Sequence, residues 1–197
     1  MELRAEELTC VRGGREVFRH VNFRLTAGQA MLVTGRNGAG KSSLLRMIAG
    51  LVRLAAGRLL LEGGAPGAEI GEQVHYLGHQ DATKPSLTVR ENLQFWIGFQ
   101  GGDGGVKAAL EAADLAMLSE IPAAYLSAGQ RRRLAIARLL AIGRPIWLLD
   151  EPTSSLDAAS QERLAERMRE HLAQGGMIIA AAHGPIGIES ASELRLD

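Results

Sequence analysis

The chain has 197 residues, enough for one domain with a sizeable hydrophobic core. Its 22 basic and 22 acidic side chains give no net charge, which argues against a broad nucleic-acid-binding face. A single cysteine excludes an intramolecular disulfide, and neither a signal region nor a run of about 18 apolar residues is present, so we expect a protein without a membrane span in a reducing, cytoplasmic compartment.

The first 62 residues predict strands and one helix. Alternating apolar and polar residues on both sides of Gly13 and Gly14 indicate a half-buried hairpin, and Gly50 is a suitable helix stop. The predicted elements are strands at 8–11, 21–25, 30–34 and 58–62 and a helix at 43–49.

The segment 81–145 is predicted to be mainly helical. A short strand leads into it, and Thr88 with Glu91 forms a capping box at the start of its first helix. The basic triple 131–133 is interpreted as the solvated side of a helix. The predicted elements are a strand at 74–78, a helix through Leu93, Trp96 and Ile97, and helices at 106–118 and 126–142.

Two apolar runs, 145–149 and 177–182, indicate strands that are buried on both faces, as in a parallel sheet. A helix at 158–174 separates them. Little of the chain remains after residue 183, and we find no repeat, no low-complexity tail and no second domain after the sheet.

The segment from Gly35 to Ser42 reads G-x-x-x-x-G-K-[ST], the phosphate-binding loop, between a predicted strand and a predicted helix. Its glycines lack a Cβ, so backbone N–H groups can approach phosphate oxygens, and the helix N-terminus favours an anion. Lys41 is expected to bridge the β- and γ-phosphates of ATP, and the Ser42 hydroxyl to bind Mg²⁺. The predicted nucleotide-binding residues of this segment are Gly35, Arg36, Asn37, Gly38, Ala39, Gly40, Lys41, Ser42 and Ser43.

Two carboxylates follow the apolar strand 145–149. Asp150 matches the second nucleoside-triphosphatase motif, in which a carboxylate at the end of a strand helps to hold Mg²⁺. Glu151 is expected to act as the general base that accepts a hydrogen bond from the attacking water.

With these motifs and those that follow them, the chain resembles the ATP-binding cassette (ABC) family. The sequence Leu-Ser-Ala-Gly-Gln at 126–130 resembles the family signature LSGGQ, with Ala128 at its first glycine. Gln80 resembles the Q-loop glutamine, Asp157 the D-loop aspartate and His183 the switch histidine.

The resemblance implies a head-to-tail dimer that encloses two ATP molecules. The signature residues Ser127, Ala128, Gly129 and Gln130 would contact the ATP of the partner subunit, and Asp157 would act across the dimer. Gln80 and His183 would join Glu151 as catalytic residues. The implied Mg²⁺ ligands are Ser42, Gln80 and Asp150, and Arg12 occupies the place of the aromatic residue that often stacks on adenine.

The implied fold class is α/β: a P-loop ABC nucleotide-binding domain with a mainly parallel sheet, N-terminal antiparallel strands and a helical insert. We therefore expect one domain over 1–197, with a RecA-like core at 1–80 and 146–197 and a helical subdomain at about 81–145.

The segment 76–96 is more closely similar to the ATP-binding subunits of cytochrome c maturation systems, the haem-exporter type. This resemblance implies an ATPase coupled to haem export or to release of a haem-loaded chaperone. It also implies CcmB/CcmC-like membrane-spanning partners, with the chain bound peripherally to the cytoplasmic face of the bacterial inner membrane.

Two other readings remain open: a subunit of another small ABC transporter, or a soluble ABC ATPase of the iron–sulfur-assembly type. We expect no nucleic-acid partner and no direct binding of haem, because His75 and His79 lie on a predicted strand and loop, where their spacing gives no shared helical face.

Overall fold

A computed structural model describes residues 1–102, 104–182, 184 and 186–197 of the chain. Within these residues it contains eight strands and five α-helices. The strands are β1 (Glu2–Arg12), β2 (Arg15–Thr26), β3 (Ala30–Gly35), β4 (Ala56–Glu62), β5 (Val74–Leu77), β6 (Ile146–Asp150), β7 (Met177–Ala181) and β8 (Ser192–Leu196). The helices are α1 (Lys41–Ile48), α2 (Val89–Gln100), α3 (Val106–Ala112), α4 (Ala128–Ala141) and α5 (Ala158–Ala173).

The chain divides into two compact units. Unit 1 comprises Met1–Gly78, Pro145–Pro152 and Ala165–Asp197, and unit 2 comprises His79–Arg144 and Thr153–Leu164.

Unit 1 contains two sheets. A three-stranded antiparallel sheet has the order β2-β1-β4, and a five-stranded parallel sheet has the order β5-β6-β7-β3-β8. Every residue of β6 and β7 is buried, as the apolar runs predicted. Because the strands are parallel, the ends of β3 and β6 meet at one edge of the sheet, where ligands of open α/β sheets bind.

Strand β8 was not among the predicted elements. It pairs in parallel with β3, so that Leu196 lies opposite Gly35. Four of its five residues are exposed or half-buried, because β8 is an edge strand. It therefore lacks the apolar run by which the buried strands were recognised.

Unit 2 packs α2, α3 and α4 around its own core, which includes Leu93, Leu110 and Leu134. The predicted capping box is present: Thr88 Oγ1 accepts a hydrogen bond from the Glu91 amide at 3.1 Å, and the Glu91 carboxylate accepts one from the Thr88 amide at 2.8 Å. These bonds satisfy two amides that the first turn of a helix leaves unpaired.

The predicted helix 106–118 is wrong at its C-terminal end, because α3 stops at Ala112. Asp114 has a φ of 55°, which an α-helix of L-residues does not continue through. Its carboxylate instead accepts a hydrogen bond from Arg133 at 2.6 Å.

No helix in the described ranges combines the length and the apolar character that crossing a membrane requires.

Candidate nucleotide-binding site

The phosphate-binding loop connects β3 to α1 in unit 1, as predicted, but its three glycines serve different purposes. A Cβ on Gly35 would lie 2.2 Å from the Leu196 carbonyl oxygen, and one on Gly40 would lie 2.6 Å from Val17 Cγ1. A Cβ on Gly38 would meet no atom within 4 Å. Close approach to neighbouring strands therefore requires Gly35 and Gly40, whereas the space beside Gly38 is open.

Two alanine substitutions separate these roles. We expect Gly35→Ala to lower the free energy of unfolding by about 3 kcal/mol, since strand β8 would have to move. Gly38→Ala is expected to cost only about 1 kcal/mol for its left-handed backbone, yet to abolish nucleotide binding. Denaturant unfolding and calorimetric titration with ATP measure the two effects.

Gly67→Ala is the matched control for Gly38→Ala. Gly67 also has a left-handed backbone, with φ of 76° against 86° at Gly38, and equally open surroundings. It should show the same change in stability and unaltered nucleotide affinity. Equal affinity of the Gly38 and Gly67 variants for ATP would contradict the role assigned to the loop.

Lys41 begins α1, and its ammonium group turns back over the loop. Nζ donates hydrogen bonds to the Gly35 carbonyl at 2.8 Å and to the Arg36 carbonyl at 3.3 Å. Only 8% of the residue is exposed. The carbonyl oxygens of the loop thus hold the positive charge at the centre of the loop.

Asp150 ends β6 and is buried at the same edge of the sheet. Its Oδ1 accepts a hydrogen bond from Ser42 Oγ at 2.9 Å, and its Oδ2 accepts one from the Tyr76 hydroxyl at 3.1 Å. Burial raises the pKa of Tyr76, so its hydroxyl keeps its proton at neutral pH.

Ser42 and Asp150 fit a magnesium ion by the chemistry of their donors, because Mg²⁺ prefers hard oxygen ligands and uses one or two carboxylates with substrate phosphates. The structure brings these two predicted ligands into contact. No cluster of three or more His, Cys, Asp or Glu side chains suited to a metal occurs among the residues that the structure describes.

Glu151 follows Asp150 in a strained backbone conformation. Its φ of 49° is rare for a residue other than glycine, and its amide donates to the Ala181 carbonyl at 2.8 Å. Strain of this kind costs about 1–3 kcal/mol and concentrates at functional sites. The turn presents a half-buried carboxylate directly after the buried Asp150.

Arg12 lies exposed at the end of β1, opposite Arg15 across the Gly13-Gly14 turn. Phe18, an aromatic residue of the neighbouring strand β2, is only 7% exposed and belongs to the core of unit 1, so it is not available to stack on a nucleobase.

The predicted signature lies at the start of α4 in unit 2. Ser127 Oγ accepts from the Gln130 amide at 3.2 Å, and the Gln130 side chain accepts from the Ser127 amide at 2.8 Å, which makes a second capping box. Ala128 opens the helix. A Cβ on Gly129 would lie 2.9 Å from the Ser155 carbonyl oxygen, so a glycine is needed there.

The other predicted site residues of unit 2 are Gln80 and Asp157, both exposed. Asp157 accepts a hydrogen bond from the Ser160 amide at 2.8 Å near the start of α5, and hydrogen bonds with Ser160 lower the pKa of its carboxyl. His183 lies outside the described residues.

The interpretation of 131–133 as a solvated helix face is wrong for Arg132. This residue is 1% exposed, and its guanidinium forms an ion pair with Asp81 at 3.1 Å. Arg133 pairs with Asp114 at 2.6 Å. Sequence periodicity does not reveal such pairs, because their acidic partners lie far along the chain.

Sequence reasoning assigned no role to Tyr76, which contacts Asp150. Its position four residues before Gln80, on the strand that leads to the Q-loop motif, is the one signal that was available.

Comparison with solved structures shows the same fold. An ATP-binding cassette, MJ0796, in a dimeric post-hydrolysis state bound to ADP and Pi, matches with a TM-score of 0.85 at 22% identity over 99% of this chain and 94% of that one. A bacterial Atm1-family ABC exporter with ATP bound matches with a TM-score of 0.85 at 24% identity over 100% of this chain and 37% of that one.

Sequence relatives are much closer. The cytochrome c biogenesis ATP-binding export proteins CcmA of Rhodopseudomonas palustris (strain BisB5) and Nitrobacter winogradskyi are 58% and 57% identical over 100% of this chain and 98% of their own lengths. The CcmA protein of Brucella abortus (strain 2308) is 53% identical over 97% of this chain and 89% of its own. The family model "ABC transporter" matches residues 18–154. The chain therefore belongs to the ABC transporter family, in the group of its CcmA members.

Proposed function

We propose that the chain is the ATP-hydrolysing subunit of an ABC membrane complex for cytochrome c biogenesis. The observation that carries this assignment is the similarity to CcmA export proteins over the whole chain. The contact between Ser42 and Asp150 supports the ATPase chemistry, since it joins two oxygen donors at the edge of the sheet beside the phosphate-binding loop.

Different residues of the chain would bind the phosphates, hold the metal ion and accept the proton during hydrolysis. The loop amides and Lys41 bind the phosphates and offset the charge that develops in the transition state. Ser42, Asp150 and Gln80 would hold Mg²⁺, which neutralises phosphate charge when bound. Glu151 would accept the proton of the attacking water, and His183 would contact the γ-phosphate. Arg12 would lie against the nucleobase.

A second copy of the chain would complete each site. Ser127 and Gly129 offer a hydroxyl and a helix N-terminus, which suit a γ-phosphate presented by the partner. Ala128 and Gln130 complete this signature, and Asp157 would contact the partner. We propose that unit 1 corresponds to the RecA-like core and that the helices of unit 2 form the helical subdomain.

Unit 2 also carries an exposed aromatic face, Phe95 and Phe99 on α2. Their rings stack with centroids 6.0 Å apart, and Phe99 is 73% exposed. Trp96, on the same helix, is half-buried, and the Arg138 guanidinium lies 4.8 Å from its ring centroid. Exposed aromatic groups of this kind mark interaction sites, and we assign docking of the membrane-spanning subunits to this face.

The proposed partners are CcmB/CcmC-like membrane subunits, and the proposed location is the cytoplasmic face of the bacterial inner membrane. The test is a pull-down of the tagged chain from gently solubilised membranes of a bacterium with this biogenesis system. We expect membrane-spanning subunits and haem-handling proteins to co-purify. Recovery of the chain from the soluble fraction alone would leave the ATPase chemistry intact but overturn the transporter assignment.

Phe99→Ser sharpens this test. It should remove most of the co-purifying membrane protein while ATP affinity stays unchanged. Met117→Ser is the control, because Met117 is 95% exposed in the same unit but lies outside the aromatic face. Equal recovery with both variants would exclude the aromatic face as the docking surface.

A further inference from the structure

The Tyr76 hydroxyl joins three elements of unit 1. Arg46 Nε on α1 donates to this hydroxyl at 3.1 Å, and the hydroxyl donates to Asp150 Oδ2 at 3.1 Å. Ser42 Oγ, also on α1, donates to the other oxygen, Oδ1, at 2.9 Å. The two oxygens of one carboxylate are therefore fixed from two directions, by the strand β5 and by the helix that begins in the phosphate-binding loop.

The surroundings of Tyr76 favour this orientation of its ring. The residue is half-buried and packs against the core of unit 1. A Cβ on Gly78 would lie 3.0 Å from the ring atom Cε1, so the absence of a side chain at that position leaves room for the ring. The hydroxyl is thus directed to Asp150 by packing as well as by its hydrogen bonds.

We propose that Tyr76 is a positioning residue for the magnesium carboxylate, and that Arg46 in turn positions Tyr76. This role presupposes the ATPase function proposed above. Mg²⁺ demands near-ideal octahedral geometry and gives up its water reluctantly, so a carboxylate that rotates freely binds it poorly. Hydrogen-bond partners behind metal ligands typically change metal affinity by about 10–100-fold.

The test measures binding and does not depend on turnover. Calorimetric titration with ADP in EDTA gives the affinity for ADP without metal. Titrations at increasing Mg²⁺ concentrations then show how far Mg²⁺ raises the affinity for ADP. They also give the Mg²⁺ concentration at which half of this increase is reached. For Tyr76→Phe we expect this half-saturating concentration to rise about 10-fold. Affinity for ADP in EDTA is expected to stay as in the wild type, because the loop and Lys41 are untouched.

Tyr125→Phe is the matched control, since Tyr125 is the other of the two tyrosines and is 79% exposed in unit 2. It should leave the Mg²⁺ dependence of ADP binding unchanged.

Arg46→Met provides a second, independent variant. If Arg46 acts through Tyr76, Arg46→Met alone raises the half-saturating Mg²⁺ concentration. In the double variant with Tyr76→Phe, it causes little further increase in that concentration. Fully additive effects would overturn the arrangement Arg46–Tyr76–Asp150.

The remaining outcomes are also decisive. An unaltered Mg²⁺ dependence in Tyr76→Phe overturns the positioning role. So does an equal loss of ADP affinity with and without Mg²⁺, which would mark Tyr76 as a packing residue only. A wild-type chain that binds no ADP under any condition overturns the proposed ATPase function itself, and this role with it.

Discussion

Glu151→Gln is expected to lower the rate of ATP hydrolysis by about 10²–10⁴-fold while ATP binding persists, because the amide cannot accept the proton of the attacking water. The side chain keeps its length, and the turn keeps its hydrogen bond from the Glu151 amide to the Ala181 carbonyl. Ser42, Asp150 and Lys41 are unchanged. With binding intact and turnover blocked, two chains should remain associated around ATP.

Phosphate release and gel filtration with Mg-ATP measure the two consequences. Glu166→Gln is the control, since Glu166 is an exposed carboxylate on α5, and this variant should hydrolyse ATP at the wild-type rate. A Glu151→Gln variant that stays monomeric and hydrolyses ATP normally would rule out Glu151 as the base and the dimer as the active form.

Lys41→Met should reduce ATP affinity by about 10²–10⁴-fold, because hydrogen bonds to charged groups contribute about 1.5–3 kcal/mol each and the ammonium group is expected to make two of them to phosphates. Methionine keeps most of the buried aliphatic stem, so the packing around this 8%-exposed residue is largely preserved. In this variant the Gly35 and Arg36 carbonyls lose the hydrogen bonds that Lys41 Nζ donates to them.

Titration calorimetry gives the affinity, and thermal unfolding without nucleotide reports whether the loop itself is weakened. Lys107→Met is the control, since the Lys107 side chain is 88% exposed and its ion pair with Glu111, at 3.9 Å on the surface of α3, contributes little. Undiminished ATP affinity in Lys41→Met would contradict the role of this lysine.

The elements with strong local signals were predictable from the sequence. The buried strands β6 and β7 follow from their apolar runs, and the start of α2 follows from the Thr88–Glu91 capping box. The order of strand, glycine loop and helix around Lys41 follows from the phosphate-binding motif and the apolar run before it. In each case the information lies within a few neighbouring residues.

The features that sequence reasoning missed depend on partners far along the chain. Strand β8 is half polar, and only its pairing with β3 makes it part of the sheet. Burial of Arg132 depends on Asp81, and the role of Tyr76 on Asp150. The sequence also explains the loop glycines only in part. The motif predicts that Gly35 lacks a side chain to admit a ligand, but the structure shows that the nearby backbone of Leu196 also leaves no room for one.

The place of β3 between β7 and β8 has a consequence for synthesis on the ribosome. β1 and β2 are adjacent in sequence and can pair early, but β3 acquires its neighbours only after residue 177 has been made. At about 5–20 residues per second, its apolar run waits on the order of 10 s, exposed to chaperones or to aggregation. A nascent chain that has not yet added β8 lacks the backbone against which Gly35 is fitted. The sheet that holds the phosphate-binding loop is therefore completed only by the last strand to be synthesised.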